Sequence, residues 1–416
     1  MQTAVVQSLA DAVLPLIRSR SDLHRWSAAN AHGARMHEAV DLLEAAMDTA
    51  DPATVWTVTT KAIASATTVI MRADDSSGLM GDAIRRLLLL HPRAAERARP
   101  PAARLVDWMI RFQFDDECDF FTIDPVAYAG ALGESGMARY RARLDEIAAG
   151  LGPHPHLRQI YASPHARAWY SLQHNAQRLA VLDRDADAVI RTHARDQQVA
   201  AWLEDTAQAL EEIGEVDLAI EWARRAVDLE GGGYQSLRAA ETWCRLLGEH
   251  RPDDVLAART HVFERWPSSS SAARLHRAAG AQWPRHRDEV MARLAASPRD
   301  AVEFVLGTLH DVRLAWEIAM ASGLQDADTW TRLVKEYEKV DKLAVLPVLG
   351  DLVRADLEVA GAGHYRTAAR RLVRMRRIAA GSDREEEEVD AFVAELREAN
   401  RRRPRLQSEF DRAGLP

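Results

Sequence analysis

Apolar residues recur at intervals of three and four along almost the whole chain. Trp169, Leu172, Ala176, Leu179 and Leu182 follow one another at three, four, three and three, which places them on one face of an α-helix. Ser163 and Pro164 supply the expected start, as N-cap and first helical residue. Leu9, Val13 and Leu16, then Val40, Leu43 and Met47, then Ile63, Ala66 and Ile70 repeat the pattern. Asp124-Pro125 predicts a short helix through Leu132, stopped by Gly133, with a second helix following at once. No run of strictly alternating apolar and polar residues is bounded by turn signals, so the pattern predicts an all-α chain.

The segment Ala149-Gly-Leu-Gly-Pro-His-Pro155 cannot continue a helix through its glycines and prolines. It sets an expected division into an N-terminal helical bundle, residues 1–150, and a second region, 151–416. In the second region helices come in pairs. Leu203, Ala207, Leu210 and Gly214, then Val216, Ala219, Ala226 and Gly231, have the spacing of a tetratricopeptide-like unit, with small residues where two helices must touch. Leu246-Leu247-Gly248 repeats the Gly214 turn 34 residues later, and Ala258, Phe263, Trp266 and Pro267 fall in second-helix positions. Later pairs are degenerate: Ala301–Leu309 with Val312–Ala321, then Trp330–Tyr337 with Leu343–Val359, the last expected to kink at Pro347. The expected architecture is a helical bundle followed by a degenerate tetratricopeptide-like α-solenoid closed by C-terminal capping helices.

Composition narrows the function classes. With 62 acidic against 54 basic residues the chain carries a formal charge of -8, so any surface for nucleic acid or anionic lipid must be local. Only Lys61, Lys335, Lys339 and Lys342 are lysines, which leaves few catalytic-lysine schemes. Two cysteines, Cys118 and Cys244, are too few for a disulfide framework or a Cys-rich zinc site, and both are expected to be structural thiols. No stretch approaches the about 20 apolar residues of a membrane span, and the start at Met1-Gln2-Thr3 lacks a basic leader. The expected location is cytoplasmic.

Candidate chemistry is sparse. His37-Glu38-Ala-Val-Asp41 begins like a zinc-protease helix but puts aspartate where the second histidine belongs, and reads as a solvent-facing helix start. His154 and His156 flank a linker proline. Asp115, Asp116, Glu117, Asp119 and Asp124 form an acidic cluster without a neighbouring base that could bind a hard cation. Read as a calcium loop it fails, with Phe120 at the glycine position and Val126 at the bidentate glutamate. Interleaved Phe112, Phe114, Phe120 and Phe121 favour a helix connection whose aromatics pack. Asp74 and Asp75 suit a turn capping the helix that begins near Gly81. No phosphate-binding glycine loop exists, and Ser135 lacks the surroundings of a nucleophile elbow. The sharpest charge feature is a helix carrying Arg366, Arg370, Arg374 and Arg377 at four, four and three, widened by Arg371 and Arg376 and extended by Arg401, Arg402, Arg403 and Arg405. Such a stripe could grip phosphates; the structural alternative pairs it with Glu385–Glu388 of the following helix.

Two stretches carry a resemblance. Asp74-Asp75-Ser-Ser-Gly78, Gly81-Asp82-Ala-Ile-Arg-Arg-Leu87, Phe114-Asp-Asp-Glu-Cys-Asp-Phe-Phe121 and Tyr128-Ala-Gly-Ala-Leu-Gly-Glu134 resemble a bacterial helical-repeat family of unknown function. Tyr365-Arg-Thr-Ala-Ala-Arg370, Phe392-Val-Ala-Glu-Leu-Arg397 and Arg401-Arg-Arg-Pro-Arg-Leu406 are similar to the helical region that follows the zinc finger of SWIM zinc-finger proteins. The resemblance implies helical repeats rather than a reaction. The finger itself needs Cys-x-Cys and Cys-x-His, which this chain lacks. The expectation is therefore a noncatalytic scaffold or adaptor, without cofactor or metal, binding a protein or peptide partner. The alternative is a nucleic-acid-associated accessory protein using the arginine stripe. Candidate interaction residues are Arg366, Arg370, Arg374, Arg377, Asp115, Asp116 and Asp119.

Overall fold

The computed structural model describes residues 8–115, 120–153, 155 and 163–416. These hold twenty-one α-helices and no strand beyond one isolated bridge, Leu23 to Ala73, so the chain is all-α as expected. Two compact units are present, Met1–Ala239 and Ala240–Pro416.

In the first unit α1 (Leu9–Ile17), α2 (Trp26–Ala46), α3 (Pro52–Ile70) and α4 (Leu79–Ala98) pack together, followed by α5 (Ala102–Ile110) and α6 (Ala129–Leu151). The local signals read from sequence act as expected. Asp75 caps α4 by accepting from the amides of Met80 at 2.9 Å and Gly81 at 2.8 Å. Asp124 accepts from Val126 N at 3.0 Å and opens the turn Pro125–Tyr128. Gly133 breaks α6 at φ 60, ψ -177, a conformation open essentially to glycine alone.

α7 (Ala166–Leu182), α8 (Ala186–Ala194), α9 (Ala200–Glu212) and α10 (Val216–Asp228) form two consecutive pairs, with Ala207, Ala219 and Ala226 fully buried where α9 meets α10. Gly214, at φ 88, makes the α9–α10 turn. α7 begins later than the sequence implies: Ser163 accepts from His165 N at 3.2 Å, forming a turn that precedes the helix instead of capping it.

The compact units divide at Ala239, whereas the sequence reading divided the chain at residue 150. The physical reason lies in α7. Gln113 Nε2 donates to Tyr140 OH (2.7 Å), Tyr140 OH donates to Asn175 Oδ1 (2.6 Å), and Asn175 Nδ2 donates back to Gln113 Oε1 (2.7 Å). The remaining amide hydrogens go to Met109 O and Ser171 O. All three side chains are buried. This closed ring joins the wide turn Arg111–Asp115 that follows α5 to α6 and α7, and breaking any member strands buried polar atoms.

α11 spans Gly233–His250. In the second unit come α12 (Val255–Arg265), α13 (Ser269–Ala279), α14 (Trp283–Leu294), α15 (Pro298–Phe304), α16 (Val312–Ser322), α17 (Ala327–Tyr337), α18 (Leu346–Glu358), α19 (Ala362–Ala379), α20 (Asp383–Ala399) and α21 (Pro404–Arg412). α13, α15 and α17 are first helices of a tandem array, α13 packing on α15 and α15 on α17. Their N-caps, Ser268, Ser297 and Asp326, recur every 29 residues, not at the 34-residue step read near Gly248. Leu275, Phe304 and Leu333 repeat at the same interval and are all buried. Glu303 on the middle helix ties the steps together, reached by Ser269 Oγ at 3.3 Å, Thr329 Oγ1 at 3.4 Å and Arg332 at 3.6 Å. Pro347 does not kink α18; it sits in its first turn, where a missing N–H costs no hydrogen bond.

Candidate functional site

The arginine face of α19 is largely consumed internally. Arg374 and Arg377 both reach Glu338, Arg377 at 3.5 Å. Arg371 pairs with Asp356 at 2.7 Å and also donates to Leu352 O and Thr331 Oγ1. Burial pushes the Asp356 carboxyl up, against the pull of Arg371. Arg376 pairs with Asp390 of α20 at 2.8 Å. The helix is thus clamped by Glu338, Asp356 and Asp390, whereas the sequence pointed to Glu385–Glu388. The turn segment after α17 brings Glu338 across α19, which no local spacing announces. Arg366 and Arg370 are exposed and have no ion pair among the described residues. Arg401 pairs with Glu398 at 2.9 Å and Arg403 donates to Leu357 O.

The acidic segment is split. Asp115 is exposed at the end of the wide turn Arg111–Asp115, while Asp116, Glu117, Cys118 and Asp119 lie outside the described residues, as do His154 and His156. Asp124 does have a base: Arg178 of α7 donates to both its oxygens, at 3.0 and 2.8 Å, and also pairs with Glu212 at 2.7 Å. Phe112 and Phe121 are buried, but Phe120 is 69% exposed. His37 is not at a solvent-facing helix start. It lies half-buried inside α2, where Arg86 donates to Nδ1 (3.0 Å) and Nε2 contacts Leu79 O (3.1 Å), while Arg86 also binds Asp41 and Glu44. Cys244 is buried and its thiol is pushed up to about 11 by that burial, the state of an unreactive structural thiol.

A groove of about 550 Å³ opens between α18, α19 and α20. Its floor is apolar, built from Leu343, Leu346, Pro347, Met375, Val389 and Phe392, and its edge carries Glu385, Glu388 and Glu395 against one base, Arg354. Gly350 leaves α18 without a side chain at the floor; a Cβ there would stand 3.7 Å from the Phe392 ring and 3.9 Å from Met375 Cε. Arg354 lies over the Phe392 ring at 4.7 Å and bonds Asp351 at 3.1 Å. Glu388 pairs only with exposed Arg384, and Glu385 and Glu395 have no ion pair among the described residues.

Sequence reasoning passed over this groove. Its signal was present as Glu385, Glu388, Phe392 and Glu395, spaced three, four and three along one face of α20, but Glu385–Glu388 was read only as a foil for the arginines. No family model and no curated protein matches the chain. Among solved structures, one described as a "Circular tandem repeat protein with novel repeat topology and enhanced subunit contact surfaces" is similar at 15% identity over 98% of this chain and 97% of its own, with a TM-score of 0.19, too loose a superposition to argue from.

Proposed function

We propose that this chain is a noncatalytic scaffold or adaptor that binds a segment of another protein on the surface of its helix pairs. The observation that supports this most is the groove of α18, α19 and α20: an apolar floor left open, edged by Glu385 and Glu395, which have no ion pair among the described residues, and by Glu388, whose partner is the exposed Arg384. Grooves between neighbouring helices suit a helical or extended segment, and tandem pairs present such surfaces by construction. Buried ionisable groups elsewhere are committed to structure, as where His91 bonds Tyr128 and Thr60. A second reading, a nucleic-acid-associated accessory protein, rests on exposed Arg366 and Arg370.

Selection of a random helical-peptide library on the full chain tests the first reading. Peptides are expected that bind the wild type and lose binding to Gly350→Leu, whose Cβ meets only side-chain atoms at ordinary contact distance and whose remaining carbons enter the groove. Failure to enrich any groove-dependent peptide, together with low-salt DNA or RNA binding that Arg366→Glu/Arg370→Glu abolishes, would replace it by the second.

A further inference from the structure

We infer that the groove of α18, α19 and α20 takes a basic amphipathic helix: a bulky apolar side chain seated against Phe392 and Gly350, flanked one turn away on each side by arginine or lysine. The inference rests on the scaffold reading and names the chemistry of its partner. Charge decides it. Three glutamates against one arginine leave the lining net negative, and that arginine is already stacked on Phe392 and bonded to Asp351.

The placement of the acids is equally specific. Glu385, Glu388 and Glu395 run along the same face of α20 as Phe392, a row about 15 Å long at the helical rise. Glu385 also serves the positive end of α20, being in its first turn. Glu388 and Glu395 lie beyond that turn and gain nothing from it. On the opposite side of α20, Asp390 is paired with Arg376 across to α19, whereas on the groove face Glu388 meets only the exposed Arg384 one turn away and Glu385 and Glu395 have no ion pair among the described residues, which leaves this face for an outside base. A helix laid along the row meets a carboxylate roughly every turn and an apolar seat between them.

The test uses the full chain and a labelled four-turn peptide with leucines at its centre and arginine or lysine one turn to either side, beside its charge-inverted glutamate counterpart, read by fluorescence anisotropy. The basic peptide is expected to bind about tenfold more tightly, the sum of a few exposed ion pairs, with the gap closing as salt rises. Glu388→Lys/Glu395→Lys, both at solvent-facing positions that leave the fold intact, is expected to reverse the order. Gly350→Leu is expected to weaken both peptides. Equal affinities, or a basic preference that survives the charge reversal, would overturn the inference. If library peptides are lost with Gly350→Leu yet ignore the charge reversal, the scaffold reading stands and the basic partner falls. Self-association of the chain through the same groove, with no peptide preference, overturns the inference in favour of a second copy.

Discussion

Lowering the pH from 7 towards 3 is expected to unfold the Met1–Ala239 unit before the Ala240–Pro416 unit. The first unit buries His32, His91 and His193 and half-buries His174, and the pKa values of all four are lowered, in each case chiefly by burial. His91 is the extreme, pushed down to about 3. Its ring lies 4.0 Å from Trp108 between centroids, and its nitrogens meet Thr60 Oγ1 at 2.9 Å and Tyr128 OH at 3.0 Å. Because Thr60 already donates to Trp56 O, its oxygen accepts from Nε2–H, and Tyr128 donates to the bare Nδ1. That arrangement holds only for the neutral ring.

The sign follows from linkage. The unfolded chain takes up protons as pH falls through 6.5, while the folded one refuses them until about 3. Stability is therefore full above 6.5 and declines across the window down to 3, by roughly 5 kcal/mol for His91 alone. In the second unit the lowered groups are Asp326, held down by Thr329, and Glu336, held down by Lys339. Their contribution fades only below the ordinary carboxylate range. Hydrogen exchange along an acid titration resolves the two: protection across α2–α9 should fail at higher pH than across α13–α20. Simultaneous loss, or loss of α13–α20 first, would contradict this.

Phe304→Ala is expected to destabilise the second unit by about 3–5 kcal/mol, the range for a fully buried phenylalanine. Phe304 has no solvent exposure and occupies the middle position of the Leu275–Phe304–Leu333 series, with Trp283 edge-on at 5.7 Å. Alanine there opens a cavity between consecutive steps of the array, beside the rings of Trp283 and His276. Met320→Ala is the control; it is 57% exposed and should cost under about 0.5 kcal/mol. Calorimetry of the two variants, following the transition of this unit, should separate them clearly. A Phe304→Ala transition as stable as that of the control would mean the 29-residue series is not the seam of the array.

Local chemistry was legible in the sequence because its partners lie close together along the chain, within one turn or across one tight turn between neighbouring helices. The Asp75 cap, the Asp124-Pro125 start, the Gly133 break and the alanine-lined α9–α10 contact all belong to this class. What escaped depends on partners far apart in the chain. The ring of Gln113, Tyr140 and Asn175 closes over 62 residues, so a glycine–proline segment that ends α6 carried no information about which side α7 would join. Glu338 clamps Arg374 across 36 residues, where sequence proximity favoured the glutamates of α20. The 29-residue step was hidden because Ser, Ser and Asp, or Leu, Phe and Leu, do the same work with different letters; only the N-cap and burial roles repeat. For Pro347 the same residue type signals a kink inside a helix or a start in its first turn, and the turn segment before α18 decides between them.

Hydrogen exchange of the full chain with and without a groove-selected peptide is the most direct trial of the account. Binding in the groove predicts slowed exchange in Leu346–Glu358 and Asp383–Ala399, abolished by Gly350→Leu. Peptide-induced protection confined to other helices would contradict it.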